Sequence, residues 1–411
     1  MEHASLKEIS ILITNSFANR VDRMKSSDIR ELLKLISADV ISFTGGAPDP
    51  DAFPSPEDLR DAIEYILSIR DKAFQYGITD GLPSLREAII RFMERQMSIK
   101  AELRNVLITI GSQEGLEIVG RIFINQGDKV AVGLPTYLAA LQAFNLWRPK
   151  YIGVPVDKDG LNTEILEELV RKHRKTRKPI KFVYVVPTGQ NPTGTIMSLE
   201  RRKHLLEIAS SYDLFIVEDD PYGFITFDDN IPPRIKALDA EDRVIYMSTF
   251  SKIFAPGVRL GWVVANETVI KQMSLAIQAI NLCPPNFNQY MIQYFLDKGL
   301  IDRNIPRIRR LYKEKRDAML MAMDEYMPRE VSYYRPDAGF FVFAYLPDYI
   351  DAKKLLYYAI DKEKVAFVPG RSFFVDGSGY NTMRLSYSLP KPDVIRVGIE
   401  RLSRVIREHL K

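Results

Sequence analysis

The sequence predicts an α/β chain, with a large domain built on a mainly parallel sheet between helices and a smaller α+β domain at the C-terminal end. Three observations carry this expectation. Short apolar runs of strand type alternate with helical stretches from about residue 105 to 265. A helix-rich stretch follows from about 267 to 325, charged at Arg303, Arg307, Arg309, Arg310, Lys313 and Lys315. Sheet patterns then resume at Tyr334–Phe343 and Asn381–Ser388. With 411 residues, 46% of them hydrophobic, the chain supports cores of that size.

The elements follow in order. Met1–Arg20 has apolar positions of an amphipathic segment and lacks a signal-peptide pattern. Val106–Ile110 reads as a strand, Gly111–Gly115 as a turn of small residues, and Leu116–Ile124 as a helix. A phosphate is attracted to the N-terminus of such a helix by backbone N–H groups and the helix dipole. Val130–Tyr137 and Tyr151–Val156 are further strands. Phe182–Val186 is a strand that ends in Pro187–Gly194, where two prolines and two glycines fix a tight loop bearing Asn191. Leu214–Val217 is a strand whose end carries Glu218, Asp219, Asp220 and Tyr222. Carboxylates there reach the crevice at the carboxyl ends of a parallel sheet. Arg243–Ser248 is the strand that leads to Lys252.

Lys252 sits among Ser248, Thr249 and Ser251, with Arg259 downstream. An amine beside small hydroxyls and a guanidinium suits an aldehyde cofactor that carries a phosphate. In that reading Asp219 pairs with a ring nitrogen and Tyr222 donates to a ring oxygen. Taken singly, Asn191 serves equally well as a turn residue, Asp219 as a helix cap and Tyr222 as a packed aromatic. Their order ahead of Lys252 favours the cofactor.

With these residues in place the chain resembles the class I/II aminotransferases of the aspartate aminotransferase superfamily, the fold-type I pyridoxal-5′-phosphate enzymes. Within them it is similar to the 2-aminoadipate, kynurenine and archaeal aromatic aminotransferase subgroup, from about Val40 to the C-terminus. The resemblance implies a seven-stranded, mainly parallel sheet. It divides the chain into an N-terminal segment (1–45) near the small domain and active site, a large cofactor-binding domain (46–300) and a small domain (301–411).

The resemblance also implies residue roles. Lys252 forms the Schiff base, Asp219 holds the pyridine nitrogen, and Asn191 and Tyr222 contact the 3-oxygen. Ser112, Gln113, Thr249, Ser251 and Arg259 bind the phosphate, and Tyr137 stacks on the ring. The family more often has serine where this chain has Thr249. Tyr76, in the run Phe74–Arg86, reaches the phosphate of a partner chain in a homodimer. Arg384 takes the substrate carboxylate, since a planar fork makes two parallel hydrogen bonds to it. Phe43–Pro50, with Gly46, and Ser26–Leu35, with Arg30, line the entrance. Arg30 is placed to meet a second carboxylate, or equally to face solvent as a helix charge.

The activity implied is ping-pong transfer of an amino group from an L-amino acid of aromatic, kynurenine or 2-aminoadipate type to a 2-oxo acid such as 2-oxoglutarate. The alternatives are another reaction on the same cofactor, such as C–S β-elimination or decarboxylation, and a non-enzymatic effector sensor. The sensor needs a DNA-binding domain ahead of the fold, and about forty residues are too few for one.

Composition narrows the rest. Net charge is +4, from 57 basic and 53 acidic residues, and no long basic block points to nucleic acid. His173–Lys181 is locally basic and reads as a solvated helix end and loop. Four histidines, none in a motif, and the single Cys283 argue against a metal site or a disulfide and fit a cytoplasmic protein. No apolar run reaches the roughly 20 residues of a membrane span.

Overall fold

The computed structural model describes residues 10, 13–24, 37–228 and 230–411. Ser26–Leu35, and with it Arg30, lies outside the described residues.

In chain order the strands are β1 (Ile41–Ser42), β2 (Val106–Thr109), β3 (Lys129–Leu134), β4 (Lys150–Asp157), β5 (Gly160–Leu161), β6 (Ile180–Val185) and β7 (Phe215–Asp219). They continue as β8 (Val244–Thr249), β9 (Gly261–Val264), β10 (Ser332–Tyr333), β11 (Phe341–Tyr345), β12 (Val365–Ala366), β13 (Val368–Pro369) and β14 (Thr382–Ser386). The large sheet runs β2-β9-β8-β7-β6-β3-β4-β5. The pairs β3–β4, β3–β6, β6–β7 and β7–β8 are parallel, while β9 runs antiparallel to both β8 and β2. The seven expected strands are therefore present, and the two-residue β5 adds an eighth at the edge.

The central strands are mostly apolar because helices cover both faces. Val183, Val185, Ile216 and Tyr246 lie in the core on one side, and Phe182, Tyr184, Val217 and Ile245 in the core on the other. The crossover helices start at side-chain caps. Asn162 accepts from the Ile165 N–H at 2.9 Å, and Ser198 accepts from the Arg201 N–H at 3.3 Å. These helices return the chain so that the carboxyl ends of β6, β7 and β8 lie side by side. The strand order changes direction between β3 and β6, which opens a crevice there.

A second sheet, β10-β11-β14-β13, is antiparallel. The helix Pro392–Glu408 covers it with Ile395, Ile399, Leu402 and Ile406, spaced along one face at the helical period. Val40 and Phe43 belong to the same core, and β1 pairs in parallel with β12. The segment before residue 45 is thus fixed to the C-terminal part of the chain. The helix Leu300–Tyr326 links the two cores. Its buried Lys315 pairs with Asp49 and also donates to the carbonyl oxygens of Ser388 and Leu389, at 3.0 and 3.2 Å. Among the described residues, no helix is long and apolar enough to cross a membrane.

Candidate active site

Three neighbouring strands each deliver one polar group to the same crevice. β6 leads to Asn191, β7 ends at Asp219, and β8 leads to Lys252. All three residues line one cavity of about 310 Å³. Lys252 Nζ donates to the Gly46 carbonyl oxygen at 2.8 Å. It lies 5.4 Å from the ring centre of Phe340 and 5.7 Å from that of Tyr222. Burial, and then the charges of Arg384 and Arg259, lower its pKa to about 8. That places its titration close to physiological pH, so a usable fraction is neutral, and the neutral amine is a nucleophile and a proton acceptor.

Asp219 is buried at the end of β7. Its Oδ2 accepts a 2.8 Å hydrogen bond from the Tyr184 hydroxyl, while Oδ1 has no hydrogen-bond partner among the described residues. Burial raises this carboxyl to about 7 against the opposing hydrogen bond from Tyr184. The neighbouring Asp220 points elsewhere, to Arg234 at 2.9 Å and Tyr246 at 3.0 Å. A buried carboxylate oxygen without a partner suits a cationic N–H brought by a ligand.

One flank of the cavity is built for an anion. Thr249 Oγ1 donates to Ser251 Oγ at 2.9 Å, and Arg259 Nη1 donates to the same oxygen at 3.4 Å. Arg259 holds the left-handed backbone conformation, φ 50°, a costly geometry for a residue with a Cβ and one that gathers at functional sites. Opposite it the helix Ser112–Phe123 begins, with Gly111 as its N-cap. Gly111 has φ 73°, and a Cβ there would stand 2.7 Å from Arg259 Nη2, so glycine lets the helix end close on the guanidinium. The first-turn N–H groups, Ser112, Gln113, the hydroxyls and the arginine converge as a phosphate site requires.

The other flank comes from the second sheet. Arg384 on β14 is 2% exposed, so every polar contact it makes is within the site. Nη1 donates to Asn191 Oδ1 at 3.1 Å and Nη2 to the Thr44 carbonyl at 2.9 Å, while Nε has no partner among the described residues. The guanidinium lies 4.2 Å from the Phe341 ring centre and 5.2 Å from that of Phe373. Burial lowers its pKa to about 10, which still leaves it charged. Tyr137 and Tyr222 also face the cavity, and burial raises both phenols, Tyr137 to about 12.

The structure therefore gathers Lys252, Asp219, Tyr222, Asn191, Tyr137, Ser112, Gln113, Thr249, Ser251, Arg259, Arg384 and Gly46 around one cavity. Tyr76 is not among them; it is 79% exposed on the surface of its own chain. Sequence reasoning did not single out Val186, Pro221, Pro256 and Phe341, which also line the cavity. Phe341 carried a weak signal, since it opens the apolar strand β11.

Pyridoxal phosphate fits these groups. The unpartnered Asp219 oxygen suits its ring nitrogen, the Arg259 flank its phosphate, and the Lys252 amine its aldehyde. Fold and site together define the class: a fold-type I pyridoxal-phosphate enzyme. The family model described as aminotransferase class I and II matches residues 38–402, and the chain belongs to that family.

The aromatic-amino-acid aminotransferase 1 of Thermococcus litoralis is 43% identical over 396 residues, 96% of this chain and 95% of the other. The crystal structure of Pyrococcus horikoshii kynurenine aminotransferase, in complex with PMP, superposes with a TM-score of 0.94 at 45% identity, covering 97% and 98% of the two chains. LysN, the alpha-aminoadipate aminotransferase of Thermus thermophilus, complexed with N-(5′-phosphopyridoxyl)-L-leucine, gives a TM-score of 0.88 at 36% identity over 96% and 98%. The chain is a pyridoxal-phosphate-dependent transaminase.

Proposed function

We propose that this transaminase takes the amino group of an L-amino acid of aromatic, kynurenine or 2-aminoadipate type and passes it to a 2-oxo acid such as 2-oxoglutarate. The observation that carries the reading is the meeting of Lys252, Asp219 and Arg384 in one cavity whose side walls include Tyr137, Val186 and Phe341. The names of the relatives support the donor class.

When bound, pyridoxal phosphate supplies an aldehyde that takes up the amino group and a cationic ring that withdraws electrons from the bond to be broken. The residues do the rest. Arg384 grips the substrate carboxylate and, with Asn191, orients the α-carbon. Lys252 Nζ takes the α-proton as general base and then gives it up as general acid at a different atom, so that the proton is moved and not returned to the α-carbon. Asp219 keeps a proton on the ring nitrogen. Asn191 and Tyr222 hydrogen-bond the ring oxygen, Tyr137 covers the ring face, and Ser112, Gln113, Thr249, Ser251 and Arg259 hold the phosphate.

The active unit in this reading is a homodimer. Phe74, Tyr76, Ile78 and Leu282 are all exposed, and an apolar surface of this kind suits a second copy of the chain. Tyr76 then reaches the partner's phosphate. The assignment of 1–45, 46–300 and 301–411 as N-terminal segment, large domain and small domain, and a cytoplasmic location, belong to the same reading.

The test is kcat/KM for L-phenylalanine, L-kynurenine, L-2-aminoadipate and L-alanine with 2-oxoglutarate as acceptor. The expected result is that one of the first three exceeds alanine by at least about 10-fold, the margin that a filled side-chain pocket gives. Equal values for all four would remove the donor class.

A further inference from the structure

The two oxygens of Asp219 are in different circumstances. Oδ2 accepts from Tyr184 at 2.8 Å, and Oδ1, buried, has no partner among the described residues. Tyr184 is 1% exposed, so its hydroxyl is shut off from bulk water. It sits on β6 in register with Val132 of β3 and Val217 of β7, and its ring meets Phe144 edge-on at 5.7 Å. Strand pairing and ring packing thus fix where the phenol points.

We propose that Tyr184 is a positioning residue for transamination: it occupies Oδ2, leaves Oδ1 as the one acceptor for the ring N–H of the cofactor, and keeps the shared proton on the ring. The proposal rests on the reading of Asp219 as the ring-nitrogen partner. The physical argument is a competition between two bases for one proton. A hydrogen bond donated to the ionised carboxylate favours that form, so the carboxylate becomes the weaker base and the ring keeps the proton. The other titratable groups around Asp219 do not supply this. Asp220 raises it, and Tyr137 and Tyr222 face it across the cavity. The cations lining the cavity, Lys252, Arg259 and Arg384, have partners of their own in Gly46, Ser251 and Asn191. Asp220 is held apart by Arg234 and by a second tyrosine, Tyr246, so each of the adjacent carboxyls has a separate phenol.

The experiment is the ¹⁵N shift of the ring nitrogen in enzyme loaded with ¹⁵N-labelled pyridoxal phosphate, followed from pH 6 to 9. It is run on wild type, Tyr184→Phe, Tyr246→Phe and Asp219→Asn. Phenylalanine keeps the contact with Phe144 and removes only the hydroxyl. Wild type and Tyr246→Phe are expected to hold the protonated value throughout. Tyr184→Phe is expected to move toward the unprotonated value as pH rises. Its kcat should fall by roughly 10- to 100-fold, the loss of a hydrogen bond to a charged group, with KM for the amino acid little changed. If Tyr184→Phe does not fold, Tyr184→4-aminophenylalanine keeps the shape and donates more weakly, and it is expected to move in the same direction as Tyr184→Phe. An unaltered profile in Tyr184→Phe, or in the aminophenylalanine variant, beside an altered one in Asp219→Asn overturns the role of Tyr184 alone. A wild-type profile in Asp219→Asn overturns the reading of Asp219 and the proposal with it.

Discussion

Lys252 Nζ donates to the carbonyl oxygen of Gly46 at 2.8 Å. This bond joins two distant parts of the chain, because the segment holding Gly46 continues from β1, which pairs with β12 in the second core. A Cβ on Gly46 would stand 2.9 Å from Cζ of Phe341, whose ring packs against the Arg384 guanidinium. Gly46→Ala should therefore displace Phe341 and disturb the carboxylate site. The expected outcome is a rise of about 10-fold in KM for the amino acid, as for a misplaced positioning group. Cofactor affinity should change far less, and titration of the apoprotein with cofactor checks that half of the claim.

Arg384 makes its demands through shape as well as charge. Arg384→Lys keeps the charge and loses the fork between Asn191 and Thr44. We expect kcat/KM for every amino acid and oxo acid to fall by roughly 100-fold, the scale of a lost bidentate contact. Steady-state kinetics with two unrelated donors checks this. A loss confined to one donor would assign Arg384 to the side chain rather than to the shared carboxylate.

The amine of Lys252 sets a pH dependence. Its pKa is lowered from 10.5 to about 8, chiefly by burial. The neutral amine is the form that attacks the aldehyde, and its fraction rises as pH rises through that value. The rate at which apoprotein takes up cofactor covalently, followed by visible absorbance, should climb between pH 7 and 9 and then level. A rate that falls over this range would contradict the assignment.

Asp219→Asn should separate function from stability. In the wild-type apoprotein, burial raises this carboxyl from 3.8 to about 7. The folded state then binds more protons than the unfolded state between those values, so its stability falls as pH rises through the window. Asparagine removes that penalty and still offers an oxygen to Tyr184. The variant apoprotein should be more stable than wild type at pH 8, by on the order of 2 kcal/mol. It should match wild type below about pH 4. The loaded variant should lose roughly 100-fold or more in kcat, as when a charge-stabilising group is removed. Denaturant melts at the two pH values check the first part.

The dimer is tested by mass and by mixing. Sedimentation should give the mass of two chains. Lys252→Ala chains, inactive alone, and Tyr76→Ala chains, weakly active alone, should regain part of the activity when unfolded together and refolded. In mixed dimers one site has both its own lysine and the partner's tyrosine. No recovery would place Tyr76 outside the neighbouring site.

The three strand ends that carry Asn191, Asp219 and Lys252 were legible in the sequence, because each is a buried apolar run that stops at a polar residue. The anion flank was legible for a similar reason, since hydroxyls and glycines gather where strands give way to turns. Tyr184 was not, because a tyrosine inside an apolar strand reads as packing until β6 and β7 are set in register and its hydroxyl meets Asp219. Phe341 and Phe373 were not legible as partners of Arg384 either. Their contacts depend on the pairing of β11 with β14 and on a loop that the sequence leaves unplaced. The pairing of β1 with β12 joins Ile41 to Val365, a separation that no local pattern records. Arg30 lies outside the described residues.

The measurement that bears most directly on the central claim is an absorbance scan of wild type and Lys252→Ala, each loaded with pyridoxal phosphate, before and after excess L-phenylalanine or L-2-aminoadipate without an oxo acid. The account expects wild type to show a visible band of covalently held cofactor that bleaches toward the ultraviolet with the amino acid and returns with 2-oxoglutarate. Lys252→Ala should lack that band before the amino acid is added and should fail to turn over. A Lys252→Ala protein that shows the wild-type band and cycles at a comparable rate would contradict the assignment of Lys252.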